Sequence, residues 1–132
     1  MNRLKWMHLW SAAVGAMDAV TGLLLVFLPA LVLRLLGIPE LGAESWVFVS
    51  WIGVFVTGVG LSYGLTFRNR QSGETVWAFT GLVRLLVCVF LTIQVVAGRM
   101  PVAWLLVAGA DGAVAAVQLV VLGAGWWKEG RG

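Results

Sequence analysis

Charge is what this sequence has least of. Nine Lys or Arg and six Asp or Glu make up 11% of 132 residues, whereas 61% are hydrophobic and the mean hydropathy is +0.96. Water-soluble domains carry about 25% charged and about 45 to 50% apolar residues, so the composition is that of an integral membrane protein. The basic residues stand singly, without the clustered, solvated basic face that nucleic-acid binding needs, and no nucleic-acid partner is expected. There is one cysteine, Cys88, in the middle of an apolar run. Alone it can form no intramolecular disulfide, CxxC pair or cysteine zinc site, and a small core residue is the expectation. The single histidine, His8, has no second His, Cys or nearby acid at ligand spacing, so no metal centre is expected. No serine has the histidine and acid of a nucleophilic triad, and no GxGxxG or GxxxxGK[ST] phosphate loop occurs. The chain is therefore expected to carry no catalytic residue and no cofactor.

Four long apolar runs fill most of the length, at about residues 6–28, 45–67, 75–97 and 102–125. At about 1.5 Å per residue each is long enough for a hydrocarbon core of about 30 Å. The expected fold is all-α, a single antiparallel four-helix transmembrane bundle joined by short connections, with no room for a soluble module. Asn2-Arg3-Leu4-Lys5 before an apolar run resembles a signal peptide, but the run is longer than the 7 to 15 residues of such a region and is read as a retained first span. Pro29 ends it, and residues 30–37, with Arg34 among leucines, predict a short helix lying in the interface. The second span is rich in glycine, and Gly60 and Gly64 stand four apart, the spacing that lets helices pack closely. Ser72 is a candidate N-cap for the third span, and Pro101 suits the first turn of the fourth.

Two patterns orient these runs. The tryptophans fall near the proposed ends: Trp6, Trp10, Trp77, Trp126 and Trp127 on one side, Trp46, Trp51 and Trp104 on the other, as in an aromatic belt. Arg3, Lys5, Arg68, Arg70, Lys128 and Arg131 lie on the first side, against Arg34 and Arg99 on the second. The excess predicts cytoplasmic N and C termini.

Three charges remain inside the runs: Asp18, Arg84 and Asp111. An ionised Asp at the centre of a bilayer costs at least about 2.5 to 3.5 kcal/mol, so each needs a partner, water or a proton. Residue counts place all three near mid-membrane. Ala108, Gly112 and Ala116 recur four apart beside Asp111, which would let a neighbouring helix approach and Arg84 reach across. Ser11 and Thr21 share the face of Asp18, and Gln118 stands on the side of Asp111, so the polar residues are expected to form a lane. Arginine stays protonated, which leaves one carboxylate in excess. The centre is read either as a fixed Arg84 to Asp111 bridge that orders the bundle, or as a protonatable site using Asp18 and Asp111.

A first span ending in proline, the stretch PALVLRLLG (residues 29–37), a glycine-rich second span, GLVRLLV around Arg84 and GADGAV around Asp111 together resemble the small DoxX-like four-helix membrane proteins of bacteria. That resemblance implies a bacterial inner-membrane location. Some members of the group are subunits of quinone-linked sulfur oxidation or of membrane-bound oxidoreductase complexes. The functional expectation is a non-catalytic accessory or interaction subunit in contact with membrane lipids, and binding lipid, quinone or another membrane protein. The alternative is a small proton-coupled carrier or channel, which would act as a homo-oligomer because four short helices enclose little volume.

Overall fold

The cap, rather than hydrophobicity, sets where the first helix begins. The Asn2 side chain accepts the backbone N–H of Lys5 at 2.8 Å, satisfying one of the free donors of a helix start. Helix α1 therefore runs Arg3–Phe27, taking in the polar residues ahead of the apolar run. The computed structural model describes residues 2–39 and 41–129. Met1, Glu40, Gly130, Arg131 and Gly132 lie outside the described residues, and Arg131 is one of the basic residues counted above.

Leu28 leaves helical geometry at φ −134° and ψ 54°, as the residue before a proline is pushed to do. Pro29 then opens α2, Pro29–Leu35, at a position where its missing N–H is no loss. Gly37, at φ +72°, ends α2 in a left-handed turn. The N–H of Gly37 bonds to Arg34 and that of Ile38 to Leu33, the paired bonds of a Schellman cap. Leu33 and Ile38, which such a cap brings together, are both buried, while Arg34 is exposed.

Helix α3 runs Ala43–Ser62 and tightens into a 3-10 segment over Tyr63–Phe67. Helices α4, Arg70–Val96, and α5, Trp104–Gly123, follow, with a 3-10 turn at Trp126–Lys128. All regular structure among the described residues is helical. Four helices are long and apolar enough to cross a membrane: α1, α3 with its 3-10 extension, α4 and α5. Ser72 is not the cap of α4; Asn69 is, accepting the Ser72 N–H at 2.7 Å. Pro101 does not start α5 either, because three i to i+3 bonds, from Trp104 to Pro101, Leu105 to Val102 and Leu106 to Ala103, form a tighter turn first.

The chain divides into two compact units, Met1–Arg68 and Asn69–Gly132. In the first, α1 and α3 meet backbone to backbone through glycines. A Cβ on Gly60 would lie 2.7 Å from the Gly15 carbonyl, and one on Gly15 would lie 2.9 Å from that of Gly60. Gly22 and Gly53 repeat this two turns away, each with a hypothetical Cβ 2.7 Å from the other's carbonyl. The seven-residue spacing of Gly15 and Gly22 on α1 thus meets the seven-residue spacing of Gly53 and Gly60 on α3. Ser50 adds an interhelical bond, its hydroxyl donating to the Val26 carbonyl at 3.3 Å.

Gly64, paired with Gly60 by its four-residue spacing, takes no part. It lies beyond the α-helical end of α3, is exposed, and has nothing within 4 Å of where a Cβ would be. The two glycines should therefore respond differently to one methyl group. Gly60→Ala is expected to destabilise the protein by about 1 to 3 kcal/mol through overpacking, and Gly64→Ala by less than about 0.5 kcal/mol, as read from thermal melting in detergent. Equal responses would contradict the packing described.

Candidate functional site

The second unit contains a buried charge pair. Arg84 projects from the middle of α4, with its side chain 6% exposed, and its Nη1 lies 2.7 Å from Oδ1 of Asp111 on α5. The Asp111 side chain is 21% exposed, so the carboxylate is the more open end of the pair. Small residues make the approach feasible. A Cβ on Gly112 would stand 2.9 Å from Cys88 Sγ, and one on Gly81 would stand 3.3 Å from Leu119. Cys88 thus packs against the glycine that follows Asp111. In low dielectric a contact of this length holds two helices in one register, and removing either partner takes a short charge-to-charge contact from the other.

The same seam continues through Gln118, two turns along α5 from Asp111. Its side chain is fully buried, and Nε2 donates to the Trp77 carbonyl at 3.1 Å and to the Thr80 hydroxyl oxygen at 3.0 Å. Thr80 passes its own proton to the Val76 carbonyl at 2.7 Å. Gln118 therefore fastens α5 to two consecutive turns of α4. Ala108 and Ala115 are buried, but Ala116 is exposed. The small-residue stripe was expected through Ala116; the buried alanine at that level is its neighbour Ala115, about 100° away around the helix.

At the far end of the seam the chain turns back on itself. Gly125, at φ +74°, reverses the backbone after α5 and lays Trp127 over Gly73. The Trp127 and Trp77 rings meet edge to face with centroids 5.4 Å apart, and both are buried. Neither can serve as an aromatic anchor at a lipid interface. Arg70 donates to the Trp126 carbonyl at 3.3 Å, and the exposed Lys128 Nζ stands 3.8 Å from Oε1 of the half-buried Glu74.

The remaining polar residues of interest belong to the first unit. Asp18 and Ser11 are buried on the face of α1 that carries Gly15 and Gly22; Thr21 is half-buried. The Ser11 hydroxyl donates to the Met7 carbonyl at 2.8 Å. A shallow groove of about 250 Å³ lies in this unit, lined by Ser11, Gly15, Ala19, Gly60, Tyr63 and Phe67 among others. Its lining is mostly apolar, contains no titratable carboxylate or imidazole, and does not include Asp18. No group of three His, Cys, Asp or Glu that could hold a metal ion occurs among the described residues.

Sequence reasoning placed Trp127 in an interfacial belt, whereas it is buried, and overlooked Gly73 and the Gly15, Gly22 and Gly53 contacts. The available signal for the last three was a matched seven-residue spacing on two different helices. The chain matches no protein-family model, and comparisons with curated proteins and with solved structures find no match.

The pair is testable by a double-mutant cycle. Arg84→Leu and Asp111→Asn are each expected to destabilise by about 3 to 5 kcal/mol, and the double variant by less than either alone. Unfolding in detergent micelles measures all four corners of the cycle. Additive losses would show that the two groups do not act on each other.

Proposed function

We propose that the chain is a multi-pass protein of a bacterial inner membrane, folded as an antiparallel four-helix bundle with both termini in the cytoplasm. In this reading it is a non-catalytic accessory subunit that binds lipid, quinone or another membrane protein, of the DoxX-like type that its motifs resemble. The observation that carries the membrane placement is the distribution of polarity. Val96, Leu35, Phe27, Val47 and Val102 are exposed to between 72% and 81%, whereas Arg84, Gln118, Ser11, Thr80 and Asp18 are buried. Such an arrangement suits hydrocarbon outside and polar contacts inside. The excess of Lys and Arg at the ends of the runs that include the two termini supports the orientation.

The accessory role is supported by what the polar groups do. Arg84, Asp111 and Gln118 hold α4 to α5, and the small residues of α1 and α3 bring backbones together. Interaction with other molecules then falls to the broad apolar outer surface. One observation favours the proton-coupled alternative: the Asp111 carboxylate is more open than its guanidinium partner, and a second buried carboxylate, Asp18, lies on α1.

Native mass spectrometry from mild detergent or nanodiscs separates the two readings. The accessory reading expects a retained lipid, quinone or second membrane protein, and no dissipation of a pH gradient by the chain in vesicles. A bare chain that collapses the gradient, with the flux abolished by Asp18→Asn, would replace it with the carrier reading.

A further inference from the structure

We infer that the groove between α1 and the 3-10 end of α3 seats one acyl chain of an anionic phospholipid, whose phosphate is met at the mouth by Lys5 and Arg68. The inference rests on the membrane placement proposed above and adds to it a site and a lipid class. Every residue lining the groove belongs to the first unit. Ala12, Ala16 and Gly64 are exposed along it, and Phe67 is its last lining residue along the chain. Nothing lies within 4 Å of where a Cβ on Gly64 would be, so that part of the groove is left unfilled. The Ser11 hydroxyl in the lining donates inward to the Met7 carbonyl at 2.8 Å, and the surface that remains suits an apolar occupant. At about 250 Å³ the groove is smaller than the about 300 to 1,000 Å³ of pockets that enclose a whole small molecule. It fits one stretch of a hydrocarbon chain whose remainder stays in the bilayer, and filling it regains dispersion contacts that an empty concavity forfeits.

Charge at one end of the groove selects the lipid. The His8 ring lies against the Phe67 ring with centroids 4.9 Å apart, which sets that level of α1 beside the end of the 3-10 segment. Lys5 stands about one turn further out on α1, seven residues before Ala12 and so on the same face of the helix. Arg68 follows Phe67 directly. Both side chains belong to exposed residues, and among the described residues neither has a carboxylate partner. Two uncompensated cations at the end of an apolar groove match a phosphate at the end of an acyl chain, as basic residues beside a membrane surface match anionic headgroups. A neutral quinone ring would leave both cations unanswered. A second copy of the chain fits less well still: a twofold axis along the membrane normal would bring two Lys5 and two Arg68 to the same end, like charge against like.

The probe is dioleoyl phosphatidylglycerol, with dioleoyl phosphatidylcholine as its zwitterionic counterpart, added to full-length protein in detergent micelles and read by native mass spectrometry. The protein is expected to bind the first phosphatidylglycerol at least about tenfold more tightly than the first phosphatidylcholine, a preference within reach of two basic groups at one headgroup. Lys5→Gln together with Arg68→Gln should abolish that preference. Gly64→Phe, which fills the groove, should weaken the binding of both lipids at least about tenfold. Gly109→Phe adds the same ring at an α5 glycine that also has nothing within 4 Å of its Cβ position, and should leave both affinities unchanged. A preference that survives the paired charge change, or lipid binding by folded Gly64→Phe equal to that of the unaltered protein, would overturn the proposal. If Gly64→Phe loses helical content by circular dichroism, the charge variant alone decides: a lost preference supports the site and a retained one refutes it. A dimer that Gly64→Phe dissociates would make a second copy the occupant and overturn the lipid site. Flotation with phosphatidylglycerol vesicles separates the two levels. Protein that stays out of the vesicles contradicts the membrane placement and the site with it, whereas protein that floats but shows the same lipid affinities in every variant contradicts the site alone.

Discussion

A guanidinium and a carboxylate 2.7 Å apart, on two helices with almost no other charge, constrain the second half of this chain more than any other contact. Arg84 cannot give up its proton, so in an apolar setting its position is defined by where a counter-charge can be found. Asp111 meets that need, and the contact fixes the axial register of α4 against α5. Gly112 then falls opposite Cys88, Gly81 opposite Leu119, and Gln118 opposite Trp77 and Thr80. Shifting the register by one turn would part the charges and strand the Gln118 amide together. The polar contacts therefore act as a specification of alignment, whatever their net contribution to stability.

The first unit reaches a close pairing by a different physical route. There, α1 and α3 approach until glycine backbones touch, with Gly15 against Gly60 and Gly22 against Gly53. Where hydrocarbon surrounds the helices, burying apolar surface between them gains little, and close packing with occasional hydroxyl bonds has to supply the association. Ser50, whose hydroxyl donates to the Val26 carbonyl on α1, fits that pattern. One unit thus depends on steric fit and the other on paired polar groups. The difference follows from where the sequence places its glycines and where it places its charges.

Much of this was legible in the sequence, and the limits have physical causes. Four apolar runs announce four long helices, because a run of that length has no other economical structure. Proline at position 29 marks a break, since it constrains Leu28 as well as itself. The charges at 84 and 111 stand out because nothing around them is polar. Gly60 and Gly64 misled because a four-residue spacing is meaningful only while the helix continues, and the α-helix ends at Ser62. Ala116 stood in for Ala115 because adjacent residues on a helix point in directions about 100° apart, and composition alone does not say which side turns inward. Trp77 and Trp127 looked like interface anchors by their position near the ends of runs. Their burial depends on a chain reversal at Gly125 and on a missing side chain at Gly73, two features separated by about fifty residues of sequence.

The claim on which this account rests is a direct contact between two charged groups, and a distance measured in lipid tests it most directly. Solid-state NMR on protein reconstituted in bilayers, with nitrogen-15 in the Arg84 guanidinium and carbon-13 in the Asp111 carboxyl, reads their dipolar coupling. The account predicts strong dephasing, consistent with Nη1 hydrogen-bonded to Oδ1 at 2.7 Å. An absence of coupling between the two labels in folded protein would contradict it.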